Sequence, residues 1–475
     1  MSTELRLLPI GDQRVGGNET ITVRSPYDGS EVGQVPKCDR SHVDRAVAAA
    51  QGALDREPLP PWRRAAILDK AAELLAAEVE HFARTIAAEA AKPMKTARIE
   101  AKRAAHTFTF AAVAARTLVG EMVPIDAADI GEGRLAYTLR VPIGVVGAIT
   151  PFNFPLNLVA HKLAPAIAAG CPVVLKPASQ TPLSAVALAE LLLDQCGLPA
   201  GYLNVVTGPG ASVGNAVVEH PGIAYISFTG SGEVGWELKA RAGRKKVALE
   251  LGNNSPVIIE PDADWDRAAR TISVGGFSHA GQSCVSTQRI YVHADVAEQF
   301  CATLAKLVGD LVLGDPLDDR TDVSALITAG DRDRVQSWVD EAVAGGAEVL
   351  VGGNIRDGML EPTVLRNVAP DMKVCREEVF GPVVAVQTYT DVDDALRLAD
   401  DTRYGLQAGI YTNSLPTVLQ AARRLHFGAV LVNEVPTWRA DQMPYGGTRA
   451  SGNTKEGPLY AVREMTEERL VVIGE

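Results

Sequence analysis

The sequence predicts an α/β protein built around two parallel-sheet units, and three observations lead there. Short β-branched runs alternate with amphipathic, helix-forming stretches through most of the 475 residues, a rhythm that implies right-handed βαβ crossovers and parallel strands. The alternation comes as two successive series, one across residues 144–251 and one across residues 256–432. Two further strand-like runs, residues 134–141 and 469–473, have no helix partners of their own and read as strands that add to another sheet or to another subunit.

Taken in order, residues 42–54, 62–91 and 94–118 are rich in Ala, Leu, Glu, Lys and Arg, with Pro93 dividing the last two, so the first part of the chain is helical. A stretch rich in Gly, Asp and Pro, residues 120–133, ends it. Strands are expected at 144–149, 172–175, 203–206, 225–228 and 247–251. In the second series, helices are expected at 263–278, 296–310, 332–344 and 392–400.

Bulk composition narrows the function. A chain with 47% hydrophobic and 22% charged residues is globular and long enough for two or three cores. The formal net charge of −12 argues against nucleic acid or an anionic membrane as partner, because both demand clustered positive charge. Residues 1–17 lack a basic segment followed by an apolar one, and no stretch has eighteen consecutive apolar residues. Even residues 141–175 are interrupted by Asn153, Asn157, His161 and Lys162. The six cysteines are widely spaced, without a CxxC pair or a nearby histidine cluster, and read as reduced thiols of a cytoplasmic protein without a metal site.

Six local signatures carry chemistry. Phe228-Thr-Gly-Ser-Gly-Glu-Val-Gly235 sets Gly230, Gly232 and Gly235 in GxGxxG spacing between a strand and a helix, where backbone N–H groups can meet a pyrophosphate. Taken alone, the same residues read as a tight strand-to-helix turn. A second loop, Gly208-Pro-Gly-Ala-Ser-Val-Gly214, also follows a strand, so spacing leaves open which loop meets which part of a nucleotide. Glu250 stands about where a ribose-binding acid is expected, but it also lies in Leu249-Glu-Leu-Gly-Asn-Asn-Ser-Pro256. Cys284 lies in Gly281-Gln-Ser-Cys284; a lone cysteine is ordinarily core packing. Its company is Thr150-Pro-Phe-Asn-Phe-Pro155 and Glu377-Glu-Val-Phe-Gly-Pro382.

With these motifs in this order, the chain resembles the aldehyde dehydrogenase superfamily from Ser25-Pro-Tyr-Asp-Gly-Ser-Glu31 to Met443-Pro-Tyr-Gly-Gly-Thr-Arg-Ala-Ser-Gly452. The resemblance implies a Rossmann-like cofactor domain (1–119 and 143–249), an α/β catalytic domain (250–450) and a small β oligomerisation element (120–142 and 462–475). A homodimer or homotetramer is expected from that element. It also implies NAD(P)-dependent oxidation of a small-molecule aldehyde to a carboxylic acid. Cys284 would be the nucleophile and Glu250 the general base rather than a ribose ligand. The Asn153 side chain and the Cys284 backbone N–H would form the oxyanion hole. For NAD or NADP, the resemblance points to Thr150, Lys176, Ser179, Gly230, Ser231, Glu378 and Phe380. Glu456 matches a carboxylate near the hydrolytic water; taken alone it reads as a helix N-terminal acid.

Three positions depart from the family pattern. Phe152 stands where Trp is usual, Asn253 where a second Gly is usual, and Ser179 where a ribose-binding Glu is often found. The last allows a 2′-phosphate, with Lys176 nearby to contact it. The loop Val435-Pro-Thr-Trp-Arg-Ala-Asp-Gln-Met443 resembles the branch handling small polar or anionic aldehydes such as lactaldehyde, with Arg103, Arg289 and Arg439 as candidate anion contacts. Two rival readings are a CoA-acylating dehydrogenase, disfavoured by Glu250, and a catalytically silent binding protein, disfavoured by Cys284.

Overall fold

The computed structural model describes residues 5–17, 19–56 and 58–474. Its first parallel sheet has five strands in the order Lys246–Glu250, Tyr225–Thr229, Val146–Ile149, Val173–Lys176 and Leu203–Val205. The three central strands are buried along their whole length, as helices on both faces require. Asn157–Ala169 is the most enclosed of those helices: all its residues are buried, and it packs against Met94–Thr117.

Helices Arg40–Leu54 and Met94–Thr117 agree with expectation to within two residues at each end. The predicted helix over 62–91 is two helices, Pro61–Ala77 and Val79–Ala90, divided at Glu78, whose φ of −103° and ψ of 21° are non-helical. Two short antiparallel hairpins, Leu8–Ile10 with Gln13–Val15 and Thr20–Arg24 with Glu31–Pro36, precede this helical part. The helical reading of the first part missed them.

The second sheet has seven strands in the order Glu348–Val351, Thr363–Arg366, Val383–Tyr389, Arg289–His293, Pro256–Ile259, Gln407–Tyr411 and Ala429–Val432, parallel except for the first. The isolated strand candidates become Leu135–Pro142 and Thr466–Ile473, which pair with each other antiparallel from Leu135↔Ile473 to Pro142↔Thr466. Met122–Val123 completes this small sheet, which leaves Leu135, Leu139, Leu470, Val472 and Ile473 exposed.

The chain crosses from the first sheet to the second between Glu250 and Pro256, through wholly buried backbone. The C-terminal ends of the five strands therefore face segments leading into the second sheet. Thr150, Asn153, Lys176, Gly230 and Glu250 follow or end strands of the first sheet, while Cys284, Glu378 and Phe380 precede Arg289–His293 and Val383–Tyr389 of the second. Ligand sites of open α/β sheets lie beyond the carboxyl ends of their strands.

Candidate active site

Along the ends of the first sheet, the two glycine loops take different places. Lys176 lies against the Gly208–Gly214 loop, its Cδ 3.6 Å from where a Gly214 side chain would begin, and the Ser179 hydroxyl donates to the Gly208 carbonyl at 2.8 Å. Lys176 Nζ meets its neighbour's Pro177 carbonyl at 3.1 Å, and burial lowers its pKa to about 8. The other loop opens helix Gly232–Arg241, with exposed Ser231 at the cap position making no side-chain cap bond. Gly235 lets that helix sit on the crossover: a Cβ there would stand 2.4 Å from Leu251 Cδ2. The buried Thr150 hydroxyl has no partner.

Glu378 reaches the crossover, where the Asn253 N–H donates to Oε1 at 3.0 Å. A side chain on Gly252 would begin 2.2 Å from Oε2. Burial raises its pKa to about 7. Asn253 ties this backbone down, its amide donating to Ser255 Oγ at 2.7 Å and the Gln407 carbonyl at 3.2 Å. Phe380 adopts φ of +48° and packs edge-on against Phe152, ring centroids 5.9 Å apart.

Of the six cysteines, Cys284 alone retains appreciable solvent contact. Its Sγ lies 3.0 Å from the Tyr445 hydroxyl. Surrounding protein pushes the thiol pKa up to about 12, with the Glu378 and Glu250 charges adding to it and Tyr445 and Arg439 opposing. Asn153 is fastened to the cysteine loop by Nδ2 donating to the Gln282 carbonyl at 2.8 Å, and its Oδ1 is buried without a partner. Beneath it, Lys92 Nζ donates to the Asn153 carbonyl at 2.7 Å and to Glu100 at 2.5 Å. Glu100 in turn accepts from the N–H groups of Leu156 and Asn157 at 2.9 and 3.1 Å. This fully enclosed ion pair holds the loop between strand and helix.

Glu250 is 3% exposed, and neither carboxylate oxygen has a hydrogen-bond partner. A side chain on Gly446 would begin 2.0 Å from the Thr454 carbonyl oxygen and 2.6 Å from Glu250 Oε1, so the backbone demands glycine where the carboxyl lies. Burial raises the Glu250 pKa well above the carboxylate range and the Glu456 charge adds to it, against Arg439, Lys162 and Lys455. At Glu456 burial likewise opposes ionisation, but Lys162 and Arg439 outweigh it and hold the carboxyl low. Lys162 lies 3.5 Å from Glu456 Oε1 and Arg439 Nη2 3.1 Å from Oε2. Lys162 also donates to Ser227 and Thr229.

Next to Ser283 opens a cavity of about 520 Å³ whose wall includes Lys92, Arg103, His279, Trp438 and Arg439. Arg103 is paired with Asp441 through Nε and Nη2 at 3.2 and 2.8 Å. His279 has φ of +52°, is 2% exposed, and has no partner for either ring nitrogen. Burial, reinforced by Lys92, keeps its ring neutral. Arg439 Nε is likewise buried and unpartnered. Arg289, grouped with these arginines from the sequence, lies elsewhere: it donates to the carbonyls of Asn254, Leu398 and Ala399 and lines a different cavity.

The structure sets Asn153, Glu250, Glu378 and Arg439 around Cys284, places Lys176 and Ser179 against the Gly208–Gly214 loop, carries Arg289 elsewhere, and adds Tyr445, Lys162, Lys92, Glu100 and His279. Lys162 was visible as a cation inside an apolar stretch, which demands a buried partner. Tyr445 stood within a recognised motif, but nothing local marked its hydroxyl. Replacing Glu456→Gln removes a negative neighbour and leaves Lys162 and Arg439 free to face Glu250, so the Glu250 pKa is expected to fall. Infrared titration of the protonated carboxyl, with the Glu250 band identified by its loss in Glu250→Gln, checks this; an unmoved band contradicts the coupling.

The family model described as "Aldehyde dehydrogenase family" matches residues 14–471. The 3-sulfolactaldehyde dehydrogenase of Priestia aryabhattai is 46% identical over 457 residues, covering 96% of this chain and 95% of the relative. The lactaldehyde dehydrogenase of Methanococcus vannielii is 39% identical over 459 residues, covering 96% and 97%. Among solved structures, aldehyde dehydrogenase 21 from Physcomitrella patens, in complex with the reaction product succinate, has a TM-score of 0.95 at 36% identity and covers 100% of this chain and 99% of its own. Glyceraldehyde-3-phosphate dehydrogenase GapN from Methanocaldococcus jannaschii, complexed with NADP, has a TM-score of 0.92 at 36% identity, covering 96% and 100%. The chain belongs to the aldehyde dehydrogenase family, with NAD or NADP as cofactor and an aldehyde as substrate.

Proposed function

We propose that Cys284 is the nucleophile of this oxidation, that Glu250 is the base of thioester hydrolysis, and that the Asn153 amide and the Cys284 N–H stabilise the oxyanion. The observation that carries this reading is the set of orphaned polar groups around the one partly open cysteine. Asn153 Oδ1, both Glu250 oxygens, both His279 nitrogens, Arg439 Nε and the Thr150 hydroxyl are all buried without partners, a state that costs about 1–3 kcal/mol per group unless a ligand completes it.

The Cys284 thiolate attacks the aldehyde carbon, giving a tetrahedral thiohemiacetal whose oxyanion is met by the second Nδ2 hydrogen of Asn153 and by the Cys284 N–H. When bound, NAD(P) supplies the hydride acceptor. The buried Thr150 hydroxyl, the buried Lys176 ammonium and the two glycine loops suit such a dinucleotide, with Ser231, Glu378 and Phe380 completing its contacts. Glu250 then takes a proton from water, which attacks the thioester carbonyl, and Cys284 leaves as the acid forms. The CoA-acylating alternative finds no support among the relatives.

The substrate is proposed to be a small polar or anionic aldehyde. Arg103 and Arg439 on the cavity wall offer cationic groups, His279 offers neutral ring nitrogens for hydroxyl groups, and the two relatives act by name on 3-sulfolactaldehyde and lactaldehyde. The exposed apolar rows of the small sheet support assembly into a homodimer or homotetramer, with domains at 1–119 and 143–249, 250–450, and 120–142 with 462–475. Among the described residues no helix is long and apolar enough to cross a membrane; a cytoplasmic location is proposed.

Cys284→Ala is expected to abolish oxidation while sparing cofactor affinity. Glu250→Gln is expected to give a burst of NAD(P)H followed by a slow steady state. Equal loss of both phases in pre-steady-state kinetics would place Glu250 in thiol activation instead.

Across a panel of neutral aliphatic, aromatic and anionic aldehydes, the anionic and hydroxylated ones are expected to lead in kcat/KM. Arg103→Met is expected to lower kcat/KM about tenfold to a hundredfold for anionic aldehydes, the size of a charged hydrogen bond, and to leave neutral ones nearly unchanged. Turnover of long apolar aldehydes alone would refute the assignment.

Serine at position 179 removes a charge that would repel a 2′-phosphate; two like charges about 4 Å apart cost roughly 4 kcal/mol at an effective dielectric near 20. NADP use is therefore expected alongside NAD, with Ser179→Glu shifting the kcat/KM ratio toward NAD. An unchanged ratio removes Ser179 as the determinant.

A further inference from the structure

We propose that the Tyr445 hydroxyl is a catalytic hydrogen-bond donor to the Cys284 sulfur, and that Arg439 is the positioning residue that strengthens it as a donor. The proposal rests on Cys284 being the nucleophile.

The Tyr445 hydroxyl lies 3.0 Å from Sγ and has no other partner among the described residues. The tyrosine is 3% exposed, and its ring sits in a small apolar cluster with Val285 and Leu406, against which Cys284 and Met443 pack. On this apolar side a thiolate has only the Tyr445 hydroxyl to solvate it. The groups whose charges reach Cys284 are Glu378 and Glu250, which oppose ionisation, and Arg439, which favours it, while Tyr445 alone makes a hydrogen bond to the sulfur. Burial and the neighbouring sulfur keep the phenol protonated. It therefore has a proton to share with the sulfur.

Arg439 carries its guanidinium carbon 3.8 Å from the Tyr445 ring centroid. A cation over a phenol face is attracted to it and draws charge from the O–H, making it a stronger donor. Two contacts hold Arg439 there, Glu456 at 3.1 Å and His161 at 3.1 Å. The backbones of Tyr445 and Glu456 are bridged to each other. Arg439 consequently touches the carboxylate next to the base and the phenol next to the nucleophile. The phenol transfers no proton in this role: the thiol proton passes to solvent water, with which Cys284 keeps contact, and the hydroxyl keeps its own hydrogen while lending it to the sulfur.

The test is the pH dependence of iodoacetamide alkylation of Cys284 in the intact enzyme, located by mass spectrometry. Tyr445→Phe keeps the ring and deletes the donor. Alkylation at a given pH is expected to slow about tenfold or more, as for loss of a hydrogen bond to a charged group, with the profile displaced to higher pH and kcat/KM falling in parallel at unchanged cofactor KM. Arg439→Met is expected to displace it the same way by less. Site-specific 3-fluorotyrosine at position 445, a stronger donor of nearly the same shape, is expected to move the profile to lower pH and keeps the proposal testable if the phenylalanine variant fails to fold. A Tyr445→Phe profile superimposable on wild type, or a fluorotyrosine profile that does not move, overturns the proposal. Cys284→Ala separates the two readings: turnover retained in that variant removes the nucleophile assignment itself, whatever Tyr445 does.

Discussion

An ionised group taken out of water must be met by an opposite charge or a set of hydrogen bonds, and the active cleft of this protein is organised by that requirement. Glu456 is held ionised between Lys162 and Arg439, and Lys92 and Glu100 satisfy each other with no solvent contact at all. Removing one partner from such a pair typically costs about 3–5 kcal/mol, because the other is left buried and uncompensated. Those two clusters therefore behave as fixed points. One anchors the loop that carries Asn153; the other surrounds Glu250 with a balance of charge. Glu250 itself is left without a partner among the described residues and faces a like charge, so burial and Glu456 both favour its protonated form.

Much of the fold was legible in the sequence because parallel strands covered on both faces must be continuously apolar, and such runs stand out between helical stretches. The N-terminal hairpins were not, since strands of three to six residues with mixed burial carry no periodic signal. Nor was the break at Glu78, where neither Gly nor Pro marks the chain. In the cleft, the motif residues were recognisable one by one, whereas what joins them was not. Tyr445 meets Cys284 across 161 positions, and Lys92 meets Asn153 across 61; no local pattern encodes either contact. Arg289 shows the opposite error: an arginine close to Cys284 in sequence is carried away by its strand and bound to backbone carbonyls.

The departures from the family pattern are absorbed locally. Asn253 replaces a conformationally free residue with an amide that binds Ser255 and Gln407, so the crossover behind Glu250 is stiffened by hydrogen bonds. Phe152 meets Phe380 edge to face, an arrangement worth about 0.5–1.5 kcal/mol beyond the area it buries. At that position the wall is thereby built without an indole.

The bridge between Glu250 and Gly452 has a consequence for the order in which the chain can become an enzyme. Domains form progressively during synthesis, from the N-terminus, and the first sheet has all its strands once Glu250 has been made. The groups that complete the cleft, Tyr445 and Glu456, are made after the last strand of the second sheet and are followed by helix Pro458–Glu464 and by strand Thr466–Ile473, which pairs back to Leu135–Pro142. Until they arrive, neither Lys162 nor the edge of the first sheet has its counterpart. A nascent or C-terminally clipped chain can therefore hold a folded nucleotide-type sheet and a free thiol, yet have no assembled site in which that thiol could react.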